Sequence, residues 1–174
     1  MKIASFNING IKARQQALCD WLDDAQPDVV LLQEIKSVDE NFPRAPFEDR
    51  GYNVETHGQK SFNGVAILSK RPLEDIRRGL PGDEDDAQAR WIEATVTGDG
   101  AAVRLCGLYL PNGNPAPGPK YDYKLAWMDR LRIRAAELLA AEEPALMAGD
   151  YNVIPQDADA ANPAAWAEDA LALP

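Results

Sequence analysis

The fold is decided by the stretch Pro27-Asp-Val-Val-Leu-Leu-Gln-Glu34, a short apolar run that follows a proline and ends on two polar residues. The run has no polar alternation, so we predict a strand over residues 28–33 that is buried on both faces, as in a parallel sheet. Glu34 then stands at the carboxyl end of this strand.

The same order of elements occurs twice along the chain: strand, Asn-Gly turn, helix, proline and apolar strand. In the first half these elements are residues 2–8, Asn9-Gly10, a helix to about Ala25, Pro27 and residues 28–33. In the second half they are residues 103–110, Asn112-Gly113, an amphipathic helix over 121–143, Pro144 and residues 145–149. Further strands are predicted at 52–56, 64–69 and 90–97, with Gly98-Asp99-Gly100 as a hairpin.

This repeated order predicts one α/β domain over residues 1–174, with a first half at about 1–75 and a second half begun at about 76–174. We expect the loops at the carboxyl ends of the strands to meet at one cleft. After Ile154-Pro155 the chain becomes rich in Ala and Asp, and the second sheet has gained few strands. We therefore expect the domain to lack its C-terminal strands.

Composition limits the partners and the compartment. The net charge of −10 argues against a basic footprint for nucleic acid over the whole chain, although residues 120–134 are locally basic. We expect the acidic block at 83–86 to be solvated surface. Cys19 and Cys106 lie in apolar segments and predict buried free thiols. No apolar run approaches membrane-spanning length, which predicts a cytoplasmic protein without a membrane partner.

Four polar side chains stand at the ends of predicted strands. Glu34 and Asp150 are hard oxygen ligands that suit Mg²⁺ or Mn²⁺, and Asn7 and Asn152 stand at equivalent positions. Taken singly, each is better explained by ordinary surface polarity at a strand end. Together they predict a polar cluster in the cleft.

Six motifs, in the same order, resemble the signatures of the exonuclease III family over roughly residues 1–156. They are Phe6-Asn7-Ile8-Asn9-Gly10, Leu32-Gln33-Glu34-Ile35-Lys36, His57-Gly58-Gln59-Lys60, Asn63-Gly64-Val65-Ala66-Ile67-Leu68-Ser69, Tyr109-Leu110-Pro111-Asn112-Gly113 and Gly149-Asp150-Tyr151-Asn152. The resemblance implies a four-layered α/β sandwich of two packed mixed sheets. It also implies a metal-dependent deoxyribonuclease that acts in DNA repair on abasic sites and 3′ ends.

The resemblance also implies roles for individual residues. Glu34 and Asn7, with Asp150 and Asn152 nearby, are expected to hold a divalent cation, Mg²⁺ with Mn²⁺ as an alternative. Asp150 is expected to orient or deprotonate the attacking water, and Asn152 to fix that carboxylate and the phosphate. Tyr109 matches a phenol near the phosphate, although taken alone it would be read as a packing aromatic.

Basic and polar groups near the same loops are expected to contact double-stranded DNA: Lys12, Arg14, Arg90, Asn112 and Lys120. Solvent exposure alone would also explain them. Lys124 is a further candidate of this kind, whereas Arg130 and Arg134 are expected at the helix surface. His57 is the sole histidine, and we assign it a structural role at a strand end or loop.

In the exonuclease III family the catalytic histidine follows an aspartate near the C-terminus, and this chain has no such segment. We therefore interpret the chain as the N-terminal portion of such an enzyme, monomeric when complete, and expect severely impaired hydrolysis from these residues alone. Two alternatives stay open. The chain is another phosphodiesterase of the wider superfamily, or it is a non-catalytic fragment that binds DNA or a complementary polypeptide.

Overall fold

The computed structural model describes residues 1–98 and 100–173. Its strands are β1 (Ile3–Asn7), β2 (Val29–Gln33), β3 (Asn53–His57), β4 (Val65–Ser69), β5 (Leu73–Arg78), β6 (Trp91–Thr97), β7 (Ala102–Tyr109) and β8 (Ala145–Asp150). Its α-helices are α1 (Ile11–Ala25), α2 (Ala45–Glu48) and α3 (Pro119–Ala140). Short 3₁₀ turns cover Asp39–Asn41, Asp157–Asp159 and Pro163–Ala165.

The strands form two four-stranded mixed sheets, in the orders β1-β2-β4-β3 and β5-β6-β7-β8. Each sheet contains one parallel pair joined by a long helix: β1 with β2 around α1, and β7 with β8 around α3. The registers pair Asn7 with Gln33 and Tyr109 with Asp150. The predicted repeat of strand, helix and strand is therefore confirmed, and it places both sets of carboxyl ends at corresponding edges.

Four layers result from the packing of the apolar faces. Val29 and Leu31 of the first sheet and Ile92 and Leu105 of the second lie in one buried cluster between the sheets. On the outer face of the first sheet, α1 buries its apolar stripe, with Leu22 1% exposed. On the outer face of the second sheet, α3 packs through its buried tryptophan and two of its leucines, Leu131 and Leu138. This order of helix, sheet, sheet and helix confirms the predicted four-layered α/β sandwich.

Some predicted elements differ from the structure. Strand β5 was not predicted, because its sequence Leu-Glu-Asp-Ile-Arg-Arg has four charged residues and it is the edge strand of its sheet. Helix α3 begins at Pro119 rather than at residue 121, consistent with the preference of proline for the first turn. It ends at Ala140 rather than at residue 143. Asp99 of the predicted hairpin lies outside the described residues.

Three charged groups that were expected at the surface are partly buried under α3. Arg134 contacts Glu93 at 2.9 Å, and the side chains are 12% and 0% exposed. Arg130 contacts Asp86 at 2.5 Å, and the phenol of Tyr123 donates to the same carboxylate. The predictions for Arg130, Arg134 and the last residue of the acidic block were wrong, because α3 covers the strand and loop that carry their partners.

The remaining apolar side chains include both buried and exposed groups. The two cysteines are free and buried, as predicted. Helix α3 leaves Leu125, Ile133 and Leu139 exposed, the last by 80%. Among the helices of the described residues, none is both long and apolar enough to cross a membrane.

Candidate active site

The carboxyl ends of the two parallel strand pairs bring four predicted residues together. The amide nitrogen of Asn7 (Nδ2), at the end of β1, donates to Glu34 Oε1 at 2.9 Å and to Asp150 Oδ2 at 3.0 Å. Tyr109, at the end of β7, donates its hydroxyl to the same Oε1 of Glu34 at 2.7 Å. One neutral amide thus links a carboxylate from each sheet.

Glu34 is held ionised by its surroundings. Its second oxygen, Oε2, forms a salt bridge with Lys36 Nζ at 2.8 Å, and that ammonium also donates to Asn9 Oδ1 at 2.5 Å. Burial by itself raises the pKa of Glu34, but the hydrogen bonds from Lys36, Asn7 and Tyr109 outweigh it and lower the pKa below its ordinary value. The carboxylate is therefore fixed in orientation and in charge.

The loop that carries Glu34 has an unusual backbone. Glu34 and Lys36 have φ angles of 52° and 51°, in the left-handed region that side chains with a Cβ rarely adopt. Hydrogen bonds on both sides enforce this shape: Gly10 N donates to Glu34 O at 2.7 Å, and Lys36 N donates to Asn63 O at 3.0 Å. Strain of this kind is typical of functional loops.

The carboxylate of Asp150 accepts hydrogen bonds from neutral donors. Its Oδ1 accepts the backbone N–H of Asn152 at 3.0 Å, while its Oδ2 accepts Asn7. The side-chain nitrogen of Asn152 donates to the carbonyl of Leu110 at 2.8 Å rather than to either acid. The backbone of Asn152, with φ 45°, is therefore what contacts the cluster directly.

Tyr109 is packed against Arg90. The guanidinium of Arg90 lies 4.9 Å from the centroid of the Tyr109 ring, and it donates to the Tyr109 carbonyl at 3.3 Å and to Gln88 Oε1 at 2.8 Å. Burial, followed by the hydrogen bond to Glu34, raises the pKa of Tyr109. The phenol is therefore a neutral donor whose ring is fixed by a cation.

The other predicted DNA-contacting residues lie around this cluster without joining it. Lys12 and Arg14 are exposed on the first turns of α1, and Lys120 is exposed on the first turn of α3. Asn112 is exposed, and its side-chain oxygen accepts the N–H of Asn114 at 2.9 Å. Lys124, in contrast, is only 2% exposed, so the expectation that it contacts substrate was wrong.

His57 ends β3, and its Nδ1 lies 3.0 Å from the carbonyl of Trp91. This contact fits the structural role expected for it. Sequence reasoning missed Lys36 as a site residue, although it stood within a quoted motif. Its position two residues after Glu34 on a loop was the available signal, since neither residue is needed for the core.

The donor set fits a magnesium-type cation. Among residues 1–98 and 100–173, no group of three or more His, Cys, Asp or Glu side chains is placed to hold a metal. Mg²⁺ is commonly held by one or two carboxylates, with water and substrate oxygens completing its shell, and Glu34 and Asp150 match that pattern. Asn7 presents nitrogen to both acids and would have to turn its amide to become a ligand.

The four-layered α/β sandwich, with polar strand ends that converge between two sheets, places the chain among α/β proteins whose functional site lies at the carboxyl ends of the strands. The chain belongs to the endonuclease/exonuclease/phosphatase family, whose model matches residues 4–170.

Individual relatives show which members of this family the chain resembles. The chain is 40% identical over 160 residues to exodeoxyribonuclease III of Haemophilus influenzae, covering 91% of this chain and 60% of that protein. It is 28% identical over 169 residues to the DNA repair nuclease APEX1 of Danio rerio, covering 94% and 52%. The resemblance to the exonuclease III family is thereby confirmed.

Solved structures agree with the fold. The structure of an AP endonuclease from Archaeoglobus fulgidus matches with a TM-score of 0.90 at 34% identity, covering 98% of this chain and 65% of that one. A 3′-5′ exonuclease from Neisseria meningitidis matches with a TM-score of 0.87 at 35% identity, covering 95% and 63%. The chain thus spans 52% to 65% of the length of these four proteins.

Proposed function

We propose that this chain carries part of the active site of a DNA-repair phosphodiesterase of the exonuclease III type, which hydrolyses double-stranded DNA at abasic sites and 3′ ends. The observation that carries the proposal is the link made by Asn7 between Glu34 and Asp150, one acid from each sheet. Two carboxylates held this close favour a cation between or beside them. The identity to an exodeoxyribonuclease supports DNA as the substrate.

We propose Mg²⁺ as the cation, with Mn²⁺ as a substitute, held by Glu34 and Asp150 and by Asn7 after rotation of its amide. When bound, it supplies positive charge that offsets the developing charge on the scissile phosphate. Asn152 stays in the proposed ligand set, because its side-chain nitrogen donates to Leu110 and its side-chain oxygen is the atom that would contact a cation.

The other residues in and beside the cluster are assigned separate roles. Asp150 accepts only neutral donors in the cluster, which suits a group that orients the attacking water and takes its proton. Tyr109 is a neutral phenol beside Glu34, placed to donate to a phosphate oxygen. Arg90 holds the ring of Tyr109, and this position suits it better to positioning Tyr109 than to lying along the duplex.

DNA binding is assigned to the exposed groups that surround the cluster. Lys12, Arg14 and Lys120 offer positive charge to backbone phosphates, and Asn112 offers an amide. The protein is proposed to act as a monomer in the cytoplasm. We expect weak hydrolysis from this chain alone, because its described residues bring two carboxylates and no imidazole to the cluster.

The proposal is tested in two assays on the 174-residue chain. Mn²⁺ binding, followed by electron paramagnetic resonance, should weaken at least tenfold in Glu34→Gln and Asp150→Asn. The exposed Glu40→Gln variant is the matched control and should bind as the parent does. Equal binding by all four proteins would remove the metal site from the proposal.

The second assay is Mg²⁺-dependent nicking of a duplex with one abasic site, beside an RNA duplex and a phosphoinositide as competing substrates. Slow, metal-dependent cleavage of the abasic duplex alone supports the proposal. Preference for either of the other substrates would assign the chain to another branch of the family. Turnover as fast as that of a full-length exodeoxyribonuclease III would contradict the expected impairment.

A binding role is the second candidate, and the exposed apolar residues of α3 favour it. Leu125, Ile133 and Leu139 are 40%, 52% and 80% exposed along α3. A patch of this kind marks association with another polypeptide. Light scattering coupled to size-exclusion chromatography distinguishes this role, since a stable monomer at micromolar concentration contradicts self-association.

A further inference from the structure

Lys124 places a buried ammonium at the meeting point of three loops. Its Nζ donates to the backbone carbonyls of Asn152 and Ala170 at 2.8 Å each, and to that of Asn112 at 3.4 Å. These carbonyls belong to the loop after β8, to the C-terminal part of the chain and to the loop after β7. The side chain rises from the second turn of α3 and is 2% exposed.

A charged group in this position is costly, because burial disfavours the ionised form and lowers the pKa of Lys124. Backbone carbonyls compensate for this cost only while all three loops stay in place. A methionine of similar length would fill the same space without that dependence. Packing alone therefore does not account for a charged ammonium group at this position.

The surrounding contacts form a strap, which we define as residues 169–171. Asn114 donates its side-chain nitrogen to Asp169 Oδ1 at 2.9 Å, and Ala170 N donates to Asn114 Oδ1 at 3.1 Å. On the other side, Ile154 N donates to Leu171 O at 2.7 Å. The strap thus joins the loop after β7 to the loop after β8.

Gly113 shows how closely these parts pack. Its φ is +83°, and a Cβ at this position would lie 2.8 Å from Lys124 Cδ and 3.2 Å from the Cβ of Ala170. Ala170 is fully buried. The loop after β7 therefore rests directly on the lysine stem and on the strap.

We propose that Lys124 is a positioning residue that holds the two loops of the active site in register through their backbones. The route is short: Lys124 fixes the Asn152 carbonyl, and the N–H of Asn152 contacts Asp150 at 3.0 Å. The φ of 45° places Asn152 in the left-handed region, which asparagine tolerates, and the hydrogen bond from Lys124 fixes the carbonyl of that turn. This inference deepens the proposed function and rests on it for its catalytic meaning.

Lys124→Met is the test, with the exposed Arg132→Met on the same helix as the matched control. Hydrogen exchange should become at least tenfold faster at the amides of residues 112–114 and 152–154, while the amides of β2 keep their protection. Mn²⁺ affinity should fall about tenfold, as for other residues that orient metal ligands. The control should change neither measurement.

A second variant, Asp169→Ala, tests the same proposal if Lys124→Met does not fold. Asp169→Ala removes the contact between the strap and Asn114 but keeps the lysine, and it should speed exchange in the same two segments by a smaller factor. Unchanged exchange in both variants overturns the proposal. An equal increase across all strands also overturns it, because that pattern shows a general loss of stability.

The two measurements separate this inference from the proposed function. If the parent and Glu34→Gln bind Mn²⁺ equally, the metal site fails, and the exchange data alone decide the role of Lys124 in the loops. If the parent binds more tightly than Glu34→Gln while Lys124→Met binds as the parent does, the positioning role fails and the proposed metal site stands.

Discussion

Replacement of Tyr109 by phenylalanine tests the hydrogen bond that joins the second sheet to Glu34. The hydroxyl donates to Glu34 Oε1 at 2.7 Å, a short, charge-assisted contact, and the variant removes only that oxygen. The ring and its stacking on Arg90, at 4.9 Å, are retained. The change therefore isolates one interaction between the two halves of the site.

The size of the effect follows from the environment of Glu34. A hydrogen bond to a charged group contributes roughly 1.5–3 kcal/mol to stability. The side chain of Glu34 is 20% exposed and keeps donors from Asn7 and Lys36. We therefore expect the lower end of that range, about 1.5 kcal/mol. Loss of a donor to the ionised form should also raise the pKa of Glu34 toward its ordinary value.

Urea unfolding at neutral pH measures the first effect, and carboxyl ¹³C shifts of Glu34 during a pH titration measure the second. Tyr151→Phe is the matched control, because its exposed hydroxyl donates to a neutral backbone carbonyl at 3.1 Å. It should change stability by less than about 0.5 kcal/mol. If Tyr109→Phe is as stable as the control and leaves the pKa of Glu34 unchanged, the bond does not form in solution.

Three further predictions concern charge and packing. Arg134→Met should lower the free energy of unfolding by about 3 kcal/mol, because it removes the nearer of two arginines from the carboxyl group of Glu93, which is 0% exposed, and adding Glu93→Gln should recover most of that loss in urea unfolding. The lowered pKa of Glu34 stabilises the fold above its unfolded pKa, so stability should fall as the pH drops through the folded value, and less steeply in Glu34→Gln. Gly149→Ala should prevent folding, because the added Cβ would lie 1.9 Å from the Leu108 carbonyl oxygen. The control Gly51→Ala should fold, because no atom lies within 4 Å of its added Cβ. Circular dichroism measures both outcomes.

The central cluster could be predicted from the sequence because it depends on a simple rule. Parallel strands end at the same edge, so Asn7, Glu34, Tyr109 and Asp150 had to lie near one another once the strands were assigned. The resemblance to a known family supplied the expected roles, and the geometry brings the side chains within hydrogen-bonding distance. Pattern and topology indicated the positions, whereas the roles, and the choice of Tyr109, came from the resemblance.

The charged pairs under α3 could not be predicted in the same way. Helical periodicity places Arg134 beside the apolar stripe, but it does not show what lies opposite. The alternation of side chains along β6 places Glu93 on one face of the strand, but that face is buried only because α3 covers it. Lys124 is harder still, because its three partners are backbone carbonyls, which every residue possesses and no side-chain pattern reveals.

The two acids of the cluster differ in a way that supports the separate roles proposed for them. Glu34 has a cation at one oxygen and two neutral donors at the other, so it is fixed as an anion and has little capacity to take a proton. Among the described residues, the carboxylate of Asp150 accepts hydrogen bonds from the neutral donors Asn7 and Asn152. This geometry suits Asp150 to the proposed role of orienting the attacking water. The proposed metal anchor and the proposed water-handling side chain thus differ in their charge environment, because the ammonium of Lys36, on the loop after β2, contacts Glu34.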